Sequence, residues 1–314
     1  MPSRITNINR AKNPKVDVVC VGMVTPAEVY VVEKMPDWNT GTNWNHRADF
    51  ISDDAAIVAY CITNWGLTGG LVCNKLGDDL AGNNVFDELE SMGVVGRFIK
   101  DKSLRTPYEI VISDSEGGRT YFWDRREDLL RTLEEADTDT VKNAKCVYAD
   151  WYDYPYNRPA IQEAVDQGLP VLINIEDQYA DSNLISELVG LATWFQCTPD
   201  QTSNAHKKYE TCEELLRLGI EGVLFTGSED GCIWKSDRES FSVLAPSINL
   251  VDANGAGAVL SAGFLYGYSQ GFDMEYSCRF AVSAASKQCE LVSPMALPVE
   301  EIERLARELK VRDF

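Results

Sequence analysis

The sequence predicts an α/β protein whose mostly parallel sheet is wound on both faces by helices and carries a small β lid. Three observations lead there. Short runs rich in Val, Ile and Cys recur without polar alternation, as strands covered on both faces require. Amphipathic helical stretches separate them, and strand alternating with helix implies right-handed crossovers into a parallel sheet. Two segments break the rhythm and alternate apolar with polar positions, as strands wet on one face do.

The buried strands read as Val16–Val21 (VDVVCV), Cys146–Ala149, Pro170–Ile175 (PVLINI), Thr193–Cys197 and Gly222–Thr226 (GVLFT). Helical patterns cover Ala55–Trp65, Leu80–Met92, Arg158–Gln167, Glu210–Leu218, Gly257–Tyr268 and Ser277–Cys289. A last helix runs near Val299–Leu309, opened by Pro298 and rich in Glu at its start, which suits a helix N-terminus. The two departures are Val29–Ile51 and Arg105–Trp123; in the second, YEIVISD and RTYFW flank a hairpin turn at Glu116–Gly118. No repeat, low-complexity tract or linker interrupts the chain. We therefore expect one domain over residues 1–314, with lid segments at 29–51 and 105–123.

Composition narrows the partners. The 314 residues include 49 acidic and 29 basic side chains, a formal net charge of −20 that disfavours nucleic acid and anionic lipid. Nine cysteines without a C-x-x-C pair, and two histidines, argue against a zinc site or a disulfide framework and fit reduced buried thiols. Residues 1–15 carry four basic side chains but no apolar run behind them, and no stretch suits a membrane span. The expected location is cytoplasmic.

Asn249–Gly267 (NLVDANGAGAVLSAGFLYG) carries the strongest local signal. It reads as a short strand ending at Asp252, a Gly-Ala-Gly turn, and an apolar helix. Gly255 and Gly257 let the backbone approach a phosphate, and the helix N-terminus directs N–H groups and a positive dipole end at it. A Gly-rich strand-to-helix turn without a ligand is the alternative. A dinucleotide-binding loop is excluded at the first strand, where VVCVGMVTPAE holds one glycine and not three.

This segment resembles the DTxGAGD signature of PfkB carbohydrate kinases, of the ribokinase-like superfamily, and further landmarks follow in order. Leu76–Gly82 (LGDDLAG) is similar to the family's G-D-D-x-x-G, and Gly118–Thr120 to its lid sequence G-x-R-T. Thr226–Gly231 (TGSEDG) resembles the turn beside the nucleotide, and LVSPMALP the final loop. The resemblance spans about Val16 to Leu309. It implies a three-layer αβα sandwich with a β lid, ATP with Mg2+ on the Gly255–Ala256–Gly257 turn, and a small carbohydrate beneath the lid. It also assigns Thr226, Gly227, Ser228, Gly231 and Asn254 to the nucleotide, and suggests lid-to-lid homodimers.

The departures from the family pattern concern chemistry. The Asp that follows Gly-Ala-Gly in the family accepts the sugar hydroxyl's proton as the oxygen attacks the γ-phosphate; here it is Ala258. The family's sugar-binding Asp on the first strand aligns with Ala27, and Glu28 next to it faces the other way. The Gly-Gly under the sugar becomes Ser52–Asp53, the capping Asn becomes Ile57, and N-x-x-E reads Thr198–Gln201 (TPDQ). The resemblance therefore points to a catalytically impaired kinase homologue, a pseudokinase acting through binding. The alternative is a working sugar or nucleoside kinase, inactivated at Ala258 or drawing its base from Asp53 or Asp54.

Several residues admit two readings. Asp53 and Asp54 form either an acidic pair beneath the lid or an N-cap before Ala55, and capping is the expectation. Asp252 is a magnesium ligand or a turn residue. Arg119, Arg125 and Arg126 either grip an anion or, as we expect, pair with Asp124, Glu127 and Asp128. The aromatic run Asp150–Tyr156 (DWYDYPY) is expected to be packing rather than a stacking or partner surface, and His46 and His206 to be surface residues.

Overall fold

The computed structural model describes residues 4–8, 15–114, 118–199, 205–227, 230–292 and 297–313. The first strands are β1 (Arg4–Ile8), β2 (Val16–Val21), β3 (Thr25–Val32), β4 (Trp44–Ser52), β5 (Gly69–Val72), β6 (Leu76–Gly77) and β7 (Gly96–Asp101). They are followed by β8 (Glu109–Asp114), β9 (Arg119–Trp123), β10 (Ala144–Asp150), β11 (Val171–Glu176), β12 (Trp194–Cys197) and β13 (Gly222–Thr226). The last three are β14 (Cys232–Ser236), β15 (Ser240–Val243) and β16 (Val311–Asp313). The helices are α1 (Asp54–Asn64), α2 (Leu80–Met92), α3 (Glu127–Leu130), α4 (Arg158–Asp166) and α5 (Ser182–Leu188). They continue with α6 (Ala205–Arg217), α7 (Ala256–Gln270), α8 (Met274–Gln288) and α9 (Val299–Glu308).

The main sheet has nine strands in the order β16-β15-β14-β13-β12-β11-β10-β2-β5. Pairing is parallel from β5 to β13 and antiparallel across β14, β15 and β16. Its apolar strands alternate between two cores. Val18, Cys20, Cys146 and Tyr148 face α1, α7 and α8, while Val19, Val21, Val147 and Ala149 face α4, α5 and α6. This is the three-layer sandwich. The five expected central strands are present with ends shifted by a few residues, and the antiparallel edge was not anticipated.

Helix α7 is buried along its whole middle, Ala258 to Gly267, which explains an apolar sequence without a polar face. It crosses α8 closely: a Cβ on Gly263 would sit 2.6 Å from the Ala281 Cα. Tyr266 and Phe280 stack beside this crossing with centroids 4.6 Å apart.

The two irregular segments pair into one separate sheet of order β4-β3-β8-β9, the lid. It begins at Thr25, earlier than the expected Val29, and 33–43 holds no strand. The hairpin turn at Glu116–Gly118 falls largely outside the described residues. So do Ser228, the Asp200–Gln201 half of TPDQ, the middle half of LVSPMALP and the His206 side chain. Asn249–Asp252 is not a strand, contrary to expectation. Val251 and Asp252 donate their N–H groups to the Cys289 carbonyl, and the sheet edge beside β15 is filled by β16 from the far end of the chain. All nine cysteines are free, and among the described residues no helix is long and apolar enough to cross a membrane.

The α7–α8 crossing yields a direct test. Gly263→Val should lower stability by about 1–3 kcal/mol through overpacking, read as a lower urea midpoint with an unchanged slope.

Candidate functional site

Strand β2 lies between β5, which follows it, and β10, from which the chain runs outward to β13. Strand order reverses between β2 and β10, and the crevice beyond their carboxyl ends is where open α/β sheets place ligands. Acidic side chains from distant segments meet there. Gly22 follows β2, and a Cβ on it would lie 2.9 Å from Asp153 Oδ2 and 3.2 Å from Asp150 Oδ2, so its bare backbone leaves room for both carboxylates. The Met23 N–H donates to Asp153 Oδ2 at 2.6 Å. Asp53 arrives from the junction of β4 and α1. Carboxylate oxygens of Asp53, Asp150 and Asp153 lie within 4.8 Å of one another, all buried.

Arg125, just after lid strand β9, holds this cluster. Its Nη1 donates to Asp53 Oδ2 at 2.6 Å, its Nη2 donates to Asp153 Oδ1, and its guanidinium lies over the Tyr152 ring at 5.3 Å. Asp54 stands beside the cluster, with Tyr148 Oη at 3.4 Å and Asn174 Nδ2 at 3.3 Å from its Oδ2. Glu109 opens β8 directly opposite Ala27 on β3, so both face inward, and it is 6% exposed. Glu28 faces outward as expected, hydrogen-bonded by Tyr30, Tyr108 and Arg47. The lid thus carries its inward carboxylate on β8, one strand away from the position the resemblance indicates.

Burial dominates the protonation of these groups. It pushes Glu109 up to about 8, helped by the Asp53 charge and opposed by Arg125. It pushes Glu176, at the end of β11, up to about 7, with the Asp54 charge adding to it. Asp153 rises to about 7 by burial against the pull of Arg125, and Asp150 and Asp54 are raised in the same direction. Burial disfavours the Arg125 cation, but the Asp53, Asp153 and Asp150 carboxylates outweigh it and keep it charged.

The Gly255–Gly257 turn is the other part of the site. Gly255 is the N-cap of α7 with φ 72°, a left-handed conformation that favours glycine. Gly257 is exposed, and a Cβ there would meet nothing within 4 Å, so the first turn opens onto free space. Ala258 is 1% exposed and packs into the apolar core. The lid reaches this turn: Arg119 Nη1 donates to the Ala253 carbonyl at 2.7 Å, and Tyr121 Oη lies 3.4 Å from Asn254 Oδ1. Asp252 is fully buried and its Oδ1 accepts the Asn254 N–H at 2.9 Å, as a turn residue does. Thr226 Oγ1 donates to the Cys197 carbonyl, and Gly227 and Gly231 line a cavity of about 280 Å³.

Two expectations are corrected here. Asp53 occupies the N-cap position of α1 but does not cap, because its φ of 77° turns the side chain to Arg125 instead of to the helix N–H groups. By contrast Asp79, with φ −123°, caps α2 by accepting the Gly82 N–H at 2.8 Å. Arg125 does not pair with its sequence neighbours, since the buried carboxylates offer a stronger field. Arg126 does, with Asp124 at 3.5 Å and Asp128 at 3.8 Å, whereas Arg119 binds a backbone carbonyl. Tyr152 packs on Arg125 and Tyr156 on Arg131, His46 is exposed, and Ile57 is core. Asp150, Asp153, Glu109 and Glu176 were not singled out as site residues; for Asp150 and Glu176 the available signal was a charged residue closing an otherwise apolar strand.

The pfkB family carbohydrate kinase profile matches residues 54–301. The chain belongs to the pfkB carbohydrate kinase family. Among its pfkB relatives, an uncharacterized sugar kinase of Archaeoglobus fulgidus is 27% identical over 232 residues, 69% of this chain and 89% of that protein. A nucleoside kinase of Methanocaldococcus jannaschii is 21% identical over 282 residues, 86% of this chain and 89% of that one. In fold, the pfkB chain is similar to a microbiome-derived acarbose kinase (TM-score 0.76, 18% identity, 94% of this chain and 100% of that one). It is also similar to Arabidopsis thaliana ribokinase in complex with ribose and ATP (TM-score 0.71, 18% identity, 94% and 99%). These likenesses establish a ribokinase-like α/β fold.

The raised carboxyls dictate a pH dependence. Unfolded, Glu109 and Glu176 release their protons near the ordinary value of 4.5; folded, they hold them to about 8 and about 7. Between these limits the native state binds more protons than the unfolded chain, so stability falls as pH rises. In metal-free buffer the melting temperature should decline from about pH 5 to about pH 8.5, and Glu109→Gln should flatten the upper part of that decline.

Proposed function

We propose that this pfkB protein is a catalytically impaired kinase homologue that holds a nucleotide at the Gly255–Gly257 turn and acts through binding. Ala258 is the observation that carries the reading. A methyl group is buried in the apolar core at the first turn of α7, the position to which the resemblance assigns the base that phosphoryl transfer to an alcohol needs. The open first turn, the left-handed Gly255 and the cavity beside Gly227 and Gly231 support nucleotide binding, ATP by analogy with the Arabidopsis protein. Magnesium, when bound with ATP, supplies charge neutralisation at the phosphates.

The acidic crevice supports a second reading, a working kinase for a small carbohydrate or nucleoside. Asp53 is committed to Arg125, which leaves Asp54, poised by Tyr148 and Asn174, as the base of that reading. Both readings keep one compact unit in which the lid folds over the switch point. The lid's outer face, with Tyr30, Trp44, Ile110 and Phe122 on one side of the sheet, supports lid-to-lid homodimers. Phe122→Glu is expected to turn a dimer into a monomer by light scattering.

Thermal melting with Mg-ATP, beside an assay of ADP release over a panel of sugars and nucleosides, tests the main reading. ATP should raise the melting temperature by mass action while no acceptor accelerates ADP release. Acceptor-dependent turnover by the unmodified chain would overturn it in favour of the second reading. A gain of about 10²–10⁴ in Ala258→Asp would place the lesion at that residue alone.

A further inference from the structure

We propose that Asp53, Asp150 and Asp153 form a binding site for a hard divalent cation of the Mg2+, Mn2+ or Ca2+ class. Oxygen atoms from the three carboxylates lie within 4.8 Å of one another, a spacing that one metal ion can bridge. The donor set is oxygen alone, which selects hard cations over zinc or copper.

A cluster of acids could be held together by its counter-ion, and Arg125 fills that role for two of the three. It takes one oxygen of Asp53 and one of Asp153. Asp150 is left out. It is 1% exposed, and neither of its carboxylate oxygens has a hydrogen-bond partner. An ionised carboxylate removed from water without a partner is costly, and native structures supply one. Ionised, as a bound cation requires, the three carboxylates and one guanidinium sum to two negative charges, which a divalent ion neutralises and a monovalent one does not. The location fits as well, since the cluster closes the crevice at the reversal of strand order.

The site is separate from the nucleotide turn in its residues and its elements. Its ligands come from the β4–α1 junction, the end of β10 and the loop after it, so cation binding requires no nucleotide. Its failure would leave the nucleotide reading standing.

The experiment uses the full chain stripped with EDTA, without nucleotide, titrated separately with MgCl2, MnCl2 and CaCl2. At least one ion should raise the melting temperature, by about 5 °C at a hundredfold excess over its Kd. Tb3+ should bind with luminescence sensitised by Trp151 and Tyr152, and the effective ion should displace it. Asp150→Asn should abolish both signals while leaving the melting temperature of the metal-free protein close to that of the wild type, since burial already favours the neutral form of this carboxyl. Asp53→Asn should weaken binding at least about tenfold, while Glu135→Gln, at an exposed pair with Lys75, should leave it unchanged. No shift with any of the three ions, or an equal shift in Asp150→Asn, would overturn the proposal.

Discussion

The Arg125 bridge is the interaction on which the rest of the site depends. A single guanidinium joins Asp53 at the start of α1 to Asp153 beyond β10, and it is delivered by the segment that leaves the lid. Without it, the carboxylates gathered beyond β2 and β10 would repel one another in a poorly hydrated crevice. With it, three segments separated by up to a hundred residues in sequence are fixed relative to each other. A buried ion pair contributes less to net stability than to geometry, because desolvation offsets much of the attraction. Here the geometry is the position of the lid over the switch point.

A second tether holds the lid's other end. Arg119 donates to the Ala253 carbonyl and Tyr121 approaches Asn254, both next to the Gly255–Gly257 turn. The lid is therefore pinned at Arg125 over the acidic crevice and at Arg119 over the Gly255–Gly257 turn. The two halves of the site differ in chemistry. The turn is glycine-rich and opens onto free space, whereas the crevice is lined by buried carboxylates.

The sequence made the core legible because burial on both faces forces unbroken apolar runs, as in Val16–Val21 and Gly222–Thr226. The antiparallel edge was not legible, since β14 (CIWKS) and β15 (SFSV) mix polar and apolar residues, and β16 joins them from the end of the chain. Asn249–Asp252 looked like a strand for its apolar Leu250 and Val251, but the sheet edge it would need is already occupied. The glycine turn was legible because its constraint is local. The acidic cluster was not, because Asp53, Glu109, Asp150 and Asp153 become neighbours only through the topology of two sheets. Asp53 as an N-cap was a reasonable local reading that a long-range ion pair overrode.

The backbone at Asp53 has a consequence of its own. With φ 77° and ψ 144° it occupies a region that glycine enters freely and an L side chain resists. The main chain here has a shape that glycine adopts freely, and it carries an aspartate side chain instead. Aspartate and glycine codons differ by one base, as do those of alanine and aspartate. The pocket floor is thus separated from its neutral form by single mutational steps that require no remodelling of the chain path, and selection could change what this crevice accepts faster than it could change the fold.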